Sequence, residues 1–517
     1  MSAKVRIPLD VQQLRRGWES LERESSYWVP QADIIGQIPR GLRGTFLRNG
    51  PGVNAVYGKR LKHPIDGDGM VCALTFIDGR VHFRSKFVSS SHRREERDAG
   101  KVLYDGQMGT RATGPVTQFG KVLVSLLSGK KPKIKFRNPS NTSVFYWGGK
   151  VLTTYETNLP HCLDPYTLET MGLDDLGGTL KLHAMAAHYR VDMKKKRLIC
   201  LSLRVRLNGA AEVGFYEFDE HWHCCNAVHH SIAGLNYIHD FVLLPQFYLV
   251  HMTPFVKVST SLVLKWAAGI SSPGEEMRYH SDLPSKFVLI PRPGHSNPNS
   301  TVIMINTEPF HIFHYGTAYQ DRHDNIHFTA VCLDTNFNMT FDDEIALSNV
   351  SVSPGRLFKF HIDVKQLTCS QEMADLASVE FPTVHPFRHG LSTSRYNYLM
   401  ASDRQGYNLP YRDVIKFDHL SSSRQVYYSH GSIGEPVFAP RHGYSSYEGG
   451  DDDDGYVLVQ LYNPELHRTE FIVLDARHID ADPCARICLK LKHHIPYGFH
   501  GSFTPDVFVS APPTSKL

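Results

Sequence analysis

The feature that most limits what this chain can fold into is a rhythm. Short runs rich in Val, Ile, Phe and Tyr, bounded by Gly, Asp, Asn and Pro, recur through most of its length. Examples are Val81 to Val88, Val144 to Thr154, Leu198 to Val205, Phe241 to Val250, Thr301 to Ile305, Ile326 to Leu333, Leu357 to Ile362, Tyr456 to Leu461 and Glu470 to Leu474. Such runs between turn formers read as strands. No long helical pattern interrupts them, and no exact repeat is visible. An open sheet of many short strands would expose its edges, whereas a closed radial array protects them. The expectation is all-β and propeller-like. One large domain fits this better than the three that 517 residues suggest at about 150 per domain.

A few segments break the rhythm. Residues 11 to 24 read as a polar surface helix. In Val116 to Ser128, Phe119, Val122, Leu123, Leu126 and Leu127 recur at helical spacing, with Lys121 before and Lys130, Lys131, Lys133 and Lys135 after. A short amphipathic helix with a basic flank can lie on an anionic membrane face; the same spacing also suits a helix turned to the core. Phe255 to Ala268 is a second helical candidate, and Asp451 to Asp454 reads as a solvated loop.

Charge is balanced, with 56 basic and 52 acidic residues, which argues against a general nucleic-acid binder. The nine cysteines are scattered, odd in number and without paired CxxC spacing, so neither a disulfide framework nor a zinc ribbon is expected. Apolar runs are too short to span a bilayer, and the N-terminus lacks a secretory h-region. The chain reads as intracellular.

Histidine is abundant, at 29 residues. A lone histidine in a turn such as Tyr497-Gly498-Phe499-His500-Gly501 is ordinarily a satisfied core residue. Three other stretches change that reading: Ala187-His188-Tyr189-Arg190, Ile238-His239-Asp240-Phe241 and Phe313-His314-Tyr315-Gly316. Each sets a histidine beside a strand-like run, and they lie too far apart for a metal finger. They suit ligands that arrive from different blades and converge on one axis. Four neutral imidazoles leave a divalent ion its full charge and open positions, which suits iron better than a hard cation. Each needs an outer partner to fix its tautomer, usually a carboxylate. His183, His311, His493 and His494 are alternatives to the assigned ligands. His221-Trp222-His223-Cys224-Cys225 is a weaker soft-metal candidate.

From about Ile38 to Phe503 the chain resembles the carotenoid cleavage oxygenases, which include stilbene-cleaving enzymes and the retinoid isomerohydrolase. The motifs are Phe46-Leu47-Arg48-Asn49-Gly50-Pro51, Asp66-Gly67-Asp68-Gly69-Met70, Asn141-Thr142-Ser143-Val144, Leu163-Asp164-Pro165, His239-Asp240-Phe241, Gly455-Tyr456-Val457-Leu458 and Pro496-Tyr497-Gly498-Phe499-His500-Gly501. The resemblance implies a seven-bladed β-propeller capped by loops and short helices. It implies one Fe(II) per subunit on the axis, held by His188, His239, His314 and His500. It further implies three outer glutamates on those histidines, Glu156, Glu380 and Glu435, and Thr142 crowding an open iron position. The propeller would occupy 38–510, with a polar N-terminal extension, 1–37, packed on it and a tail at 511–517. Two departures are Tyr189, where the family often has proline, and Thr317-Ala318-Tyr319-Gln320 after His314.

The implied activity is cleavage by O2 of one conjugated C=C bond in an apocarotenoid or carotenoid, giving two carbonyl products. No side-chain acid or base is required. The apolar polyene would arrive from a membrane or lipid droplet, past a patch of Phe119, Leu123, Leu126 and Leu127. Stilbene-cleaving relatives tend to carry a lysine immediately before the first outer glutamate; here that residue is Tyr155. The lipid-anchoring cysteine of the isomerohydrolase has no counterpart at 111–120. A catalytically degenerate propeller that binds carotenoid or a protein partner is the non-enzymatic alternative. The tail ends in Ser515-Lys516-Leu517, the address read by the peroxisomal import receptor. A peroxisomal location is therefore expected, with the cytoplasm as the alternative.

Overall fold

Most of the expected strands form, although Val144 to Thr154 is divided by Gly148 and Gly149 into Ser143–Trp147 and Lys150–Thr154, and they assemble into seven sheets of four to six strands, beside one separate two-stranded hairpin. The computed structural model describes residues 10–129, 135–180, 184–205, 211–232, 238–253, 265, 270–272, 274–276, 280, 282–294, 301–333, 354–391, 394–402, 410–443, 450–490 and 493–509. The middle blades are runs of antiparallel strands consecutive in sequence. The second blade begins with Ser143–Trp147, the third with Tyr189–Asp192, the fourth with Val242–Leu243, the fifth with His311–Gln320 and the sixth with Val379–Thr383.

The first and seventh blades exchange strands with the opposite end of the chain. Gly44–Pro51, Gly69–Ile77 and Arg80–Phe87 of the first blade are completed by the C-terminal strand Gly501–Thr504 on one edge and by Ser25–Trp28 on the other. The seventh blade, built on Gly455–Asn463, Arg468–Asp475 and Ala485–Cys488, gains Ile34–Gly36. Residues 25–36 thus do more than pack on the propeller, since they supply the outermost strands of two blades.

Ring closure follows from burying both faces of every blade. Side chains alternate along a strand, so one strand feeds two cores. In Phe247–Met252, Phe247 and Leu249 join the apolar cluster toward the fifth blade, while Tyr248, Val250 and Met252 join the one toward the third. Seven such clusters sit between successive blades. The one joining the seventh blade to the first includes Phe46, Leu74 and Phe83 with Leu458, Phe471 and Val473. The blades therefore close into a ring through these shared apolar cores.

Several expectations shift in detail. The N-terminal helix is only Val11–Arg16, ending at Gly17 against the Tyr497 ring. The run Phe241 to Val250 is two strands, Val242–Leu243 and Phe247–Met252, because Pro245 cannot donate to the ladder and marks the turn between them. The acidic run is a correction: it is not a solvated loop. Asp452 is buried and accepts from the backbone N–H groups of Arg395 and Tyr396, at 2.7 and 2.9 Å. Asp453 pairs with Lys416 at 2.6 Å, and Asp454 with Arg441 at 2.8 Å.

The connection between the first and second blades carries two of the cap helices, Ser91–Ala99 and Pro115–Leu127. The first is anchored by a buried polar knot. Its Ser90 caps the N-terminus, and Arg137 bridges Asp68 (2.9 Å) and Glu96 (3.1 Å). The second turns its apolar stripe outward. Val122 is buried, but Val116, Phe119, Leu123, Val124 and Leu127 are exposed, so the core-facing alternative does not hold. The Leu126 side chain and Lys130, Lys131 and Lys133 lie outside the described residues, as do His183, the tail from residue 510 and all of 255–268 except Lys265. Among the described residues, no helix is long and apolar enough to cross a membrane.

Candidate metal centre

The inner edges of six blades deliver the polar side chains of the axis. His188 directly precedes the inner strand of the third blade, His239 lies three residues before that of the fourth, and His314 lies within that of the fifth. Glu380 lies in the inner strand of the sixth blade. Glu435 falls between the short segments Ser432–Ile433 and Val437–Pro440 of the seventh. His500 immediately precedes Gly501–Thr504, the last strand of the chain and the inner strand of the first blade. His500 is held from both sides: its N–H donates to Thr142 O (3.0 Å), and its own carbonyl accepts from Asn49 N–H (3.0 Å).

The four imidazoles converge, with one ring nitrogen of each within 4.8 Å of the others, and all four residues are buried. The Nε2 separations are 3.0 Å for His188 to His239, and 3.2 Å for both His239 to His314 and His314 to His500. Three of the rings turn Nδ1 to a carboxylate. His314 Nδ1 donates to Glu380 Oε2 at 2.7 Å, His500 Nδ1 to Glu435 Oε1 at 2.8 Å, and His239 Nδ1 to Glu156 Oε1. A ring that gives its Nδ1 proton to a carboxylate presents a bare Nε2 lone pair. Lone pairs crowded this closely repel one another unless a cation lies among them. The donor set therefore fits a metal ion with nitrogen ligands, and these four residues would hold it. Among the described residues they are the one such group, so His221, His223, Cys224 and Cys225 form none.

Electrostatics point the same way. Burial, reinforced by the neighbouring imidazoles, presses His188 and His500 well below the usual histidine range, which keeps them neutral. For His239 burial also pulls downward, but the Glu156 carboxylate outweighs it and the net shift is upward. Burial pushes the Glu435 carboxyl up to about 7, against the opposing pull of the Arg48 guanidinium.

His188 is the exception. Its Nδ1 lies 4.0 Å from Asp240 Oδ1, beyond hydrogen-bond reach. Asp240 is held by Arg190 Nη2 at 2.7 Å and by the N–H of Phe241 at 2.8 Å. His188, Asp240 and Arg190 line a cavity of about 330 Å³ that runs from the histidines past Trp147 and Met193.

Two phenylalanines wall the centre. The Phe381 ring lies 4.9 Å from that of His314 and 4.8 Å from that of His500, and Phe313 lies 5.3 Å from His239. Phe381 has φ 52°, a left-handed conformation that costs a bulky side chain energy. It sits where the sheet register shifts between Glu380 and Thr383. That irregularity re-aims Glu380 at His314 and the phenyl ring at the site.

The alternative histidines do other work. His311 Nδ1 bonds Thr253 Oγ1 at 3.0 Å, His493 bonds the Tyr27 hydroxyl at 3.2 Å, and His494 donates to Glu19 O at 3.0 Å. Thr142 is buried at the head of the second blade, and its hydroxyl donates to Asn141 Oδ1 at 3.2 Å. Tyr189, the departure from proline, opens its strand and packs on Phe145 with ring centroids 4.0 Å apart. Sequence reasoning passed over Arg48, Asp240, Phe313 and Phe381. Arg48 and Asp240 carried the only readable sign, a charge set inside an otherwise apolar run.

This geometry has counterparts among known proteins. The chain is 34% identical over 498 residues to the apocarotenoid-15,15'-oxygenase of a Synechocystis strain, covering 94% of this chain and 95% of that protein. It is 25% identical to resveratrol cleavage oxygenase 1 of Aspergillus fumigatus, covering 92% of each. The crystal structure of cobalt-substituted Synechocystis apocarotenoid oxygenase superposes with a TM-score of 0.84 at 32% identity, covering 96% of this chain and 99% of that one. Residues 18–505 match the sequence profile described as retinal pigment epithelial membrane protein, and the chain belongs to that family.

Proposed function

We propose that this chain is an iron-dependent oxygenase that uses O2 to cleave one conjugated carbon–carbon double bond of an apocarotenoid or carotenoid, giving two aldehydes. The observation that carries this is the convergence of four buried imidazoles, three of them anchored on carboxylates. An all-imidazole set favours iron over hard cations and leaves positions open. When bound, the iron supplies the activation of O2. The protein's part is positional. Glu156, Glu380 and Glu435 fix the rings of His239, His314 and His500, Phe313 and Phe381 keep water from the site, and Thr142 crowds one open position.

The apocarotenoid class is supported by the 34% identical relative that bears that name. A stilbene would need a nearby cation to ionise its phenol. The residue before Glu156 is instead Tyr155, buried and held protonated, its pKa raised by burial and by the Asp66 and Glu156 charges. The exposed stripe of Phe119, Leu123 and Leu127 is assigned to contact with the membrane or lipid droplet that holds the substrate. Ser515, Lys516 and Leu517 are assigned to the peroxisomal import receptor.

The test is an assay of the iron-loaded protein on an apocarotenal, β-carotene and resveratrol, with mass analysis of products. Two carbonyl fragments from the apocarotenal are expected. Cleavage of resveratrol alone would reassign the substrate. Iron uptake with no cleavage of any of the three would mark a binding propeller.

A further inference from the structure

We infer that Arg48 is a positioning residue of the metal centre: its guanidinium, wedged between Gly434 and Gly498, sets the Glu435 carboxylate that orients His500. The inference rests on the reading of the four histidines as metal ligands.

Arg48 comes from the first blade and is buried, with 2% of its side chain exposed. Its Nη1 donates to Glu435 Oε2 at 3.3 Å. The same oxygen accepts from the Gly501 N–H at 2.7 Å, and Glu435 Oε1 accepts from His500 Nδ1 at 2.8 Å. Both oxygens of this carboxylate are thus engaged, by donors from two segments, Arg48 and His500–Gly501, at the junction of the first and seventh blades. Glu380, by contrast, leaves Oε1 buried without a hydrogen-bond partner.

The two glycines explain how a guanidinium fits there. A Cβ on Gly434 would lie 2.5 Å from Arg48 Nη2, and one on Gly498 would lie 2.6 Å from Arg48 Nε. Both distances are shorter than any real contact allows. Neither glycine has a positive φ, so backbone conformation does not call for glycine at either position. At Gly434 the guanidinium is what a side chain would strike, and at Gly498 the guanidinium and the Asn49 carbonyl, 3.0 Å away, crowd the position together. Nε and Nη2 make no hydrogen bond, which leaves Glu435 as the acceptor the wedge serves.

The experiment is a cobalt(II) titration of the full chain, followed by visible absorption, with thermal unfolding measured with and without cobalt. The variants are Arg48→Met, Arg48→Lys and Gly434→Ala. Wild type is expected to take one cobalt. Arg48→Met should bind it about 10- to 100-fold more weakly, the range for losing an outer partner of a metal ligand. Gly434→Ala removes no hydrogen-bonding group, yet it should displace the guanidinium and weaken binding about tenfold, at the low end of that range. Arg48→Lys keeps the charge but not the fork, and it should recover part of the loss. If Arg48→Met does not fold, the other two variants carry the test. Unfolding temperatures that fall while cobalt affinity stays within about twofold of wild type, well short of that range, would overturn the inference. Wild type that takes up no cobalt would overturn the four-histidine reading itself, and this inference with it.

Discussion

The His500–Glu435 and His239–Glu156 pairs make the same contact with the axis and are built differently. Glu435 is 6% exposed, ion-paired to Arg48, and placed where strands from the two ends of the chain meet. Glu156 follows the strand Lys150–Thr154 within the second blade, and its side chain is 15% exposed. One pair is therefore part of the closure of the ring, while the other is an attachment to a blade whose core is complete without it. Identical ligand chemistry can carry very different structural weight.

The largest effect should come from removing the chain beyond Pro496. That deletes His500 and also Gly501–Thr504, the inner strand of the first blade. We expect loss of both metal binding and cooperative unfolding, read by calorimetry. A protein that still unfolds cooperatively would separate the metal centre from ring closure.

Next is Glu435→Gln, which leaves the Arg48 charge buried and unpaired. Breaking a buried ion pair costs about 3–5 kcal/mol, so a large drop in the urea midpoint is expected. Glu156→Gln should cost less, about 1.5–3 kcal/mol, the weight of a charge-assisted hydrogen bond. In metal affinity the two variants should be alike, each weakened about 10- to 100-fold, because each releases one imidazole. Equal destabilisation by the two would erase the distinction between the pairs.

The smallest effect on stability should follow from replacing Phe119, Leu123 and Leu127 together by serine. All three are exposed, and surface changes shift stability by roughly 0.5 kcal/mol or less each. Binding to anionic vesicles should fall sharply in a flotation assay. Unchanged flotation would remove the membrane assignment and leave the metal centre untouched.

These contrasts bear on what the sequence could disclose. Strands were legible where both faces are buried, as in Phe247–Met252, because a doubly buried strand is apolar at nearly every position, His251 being the exception here. Ser25–Trp28 was not legible, since an outermost strand need only half cover its neighbour. The four histidines could be assembled because each lies at or beside a strand-like run, and the family motifs then selected them over His311, His493 and His494. The wedge was hidden. Arg48 and Glu435 are 387 residues apart, and nothing local to either says that it faces the other. The acidic run misled for the same reason, because its partners Lys416 and Arg441 lie outside it in sequence.

The central claim is that four imidazoles from four blades hold one metal ion. X-ray absorption at the iron edge, on protein loaded anaerobically with Fe(II), tests it most directly. The account predicts one iron per chain with the multiple-scattering signature of four imidazoles, falling to three in His239→Ala. An iron ligated by two or fewer imidazoles, or a spectrum unchanged in His239→Ala, would contradict it.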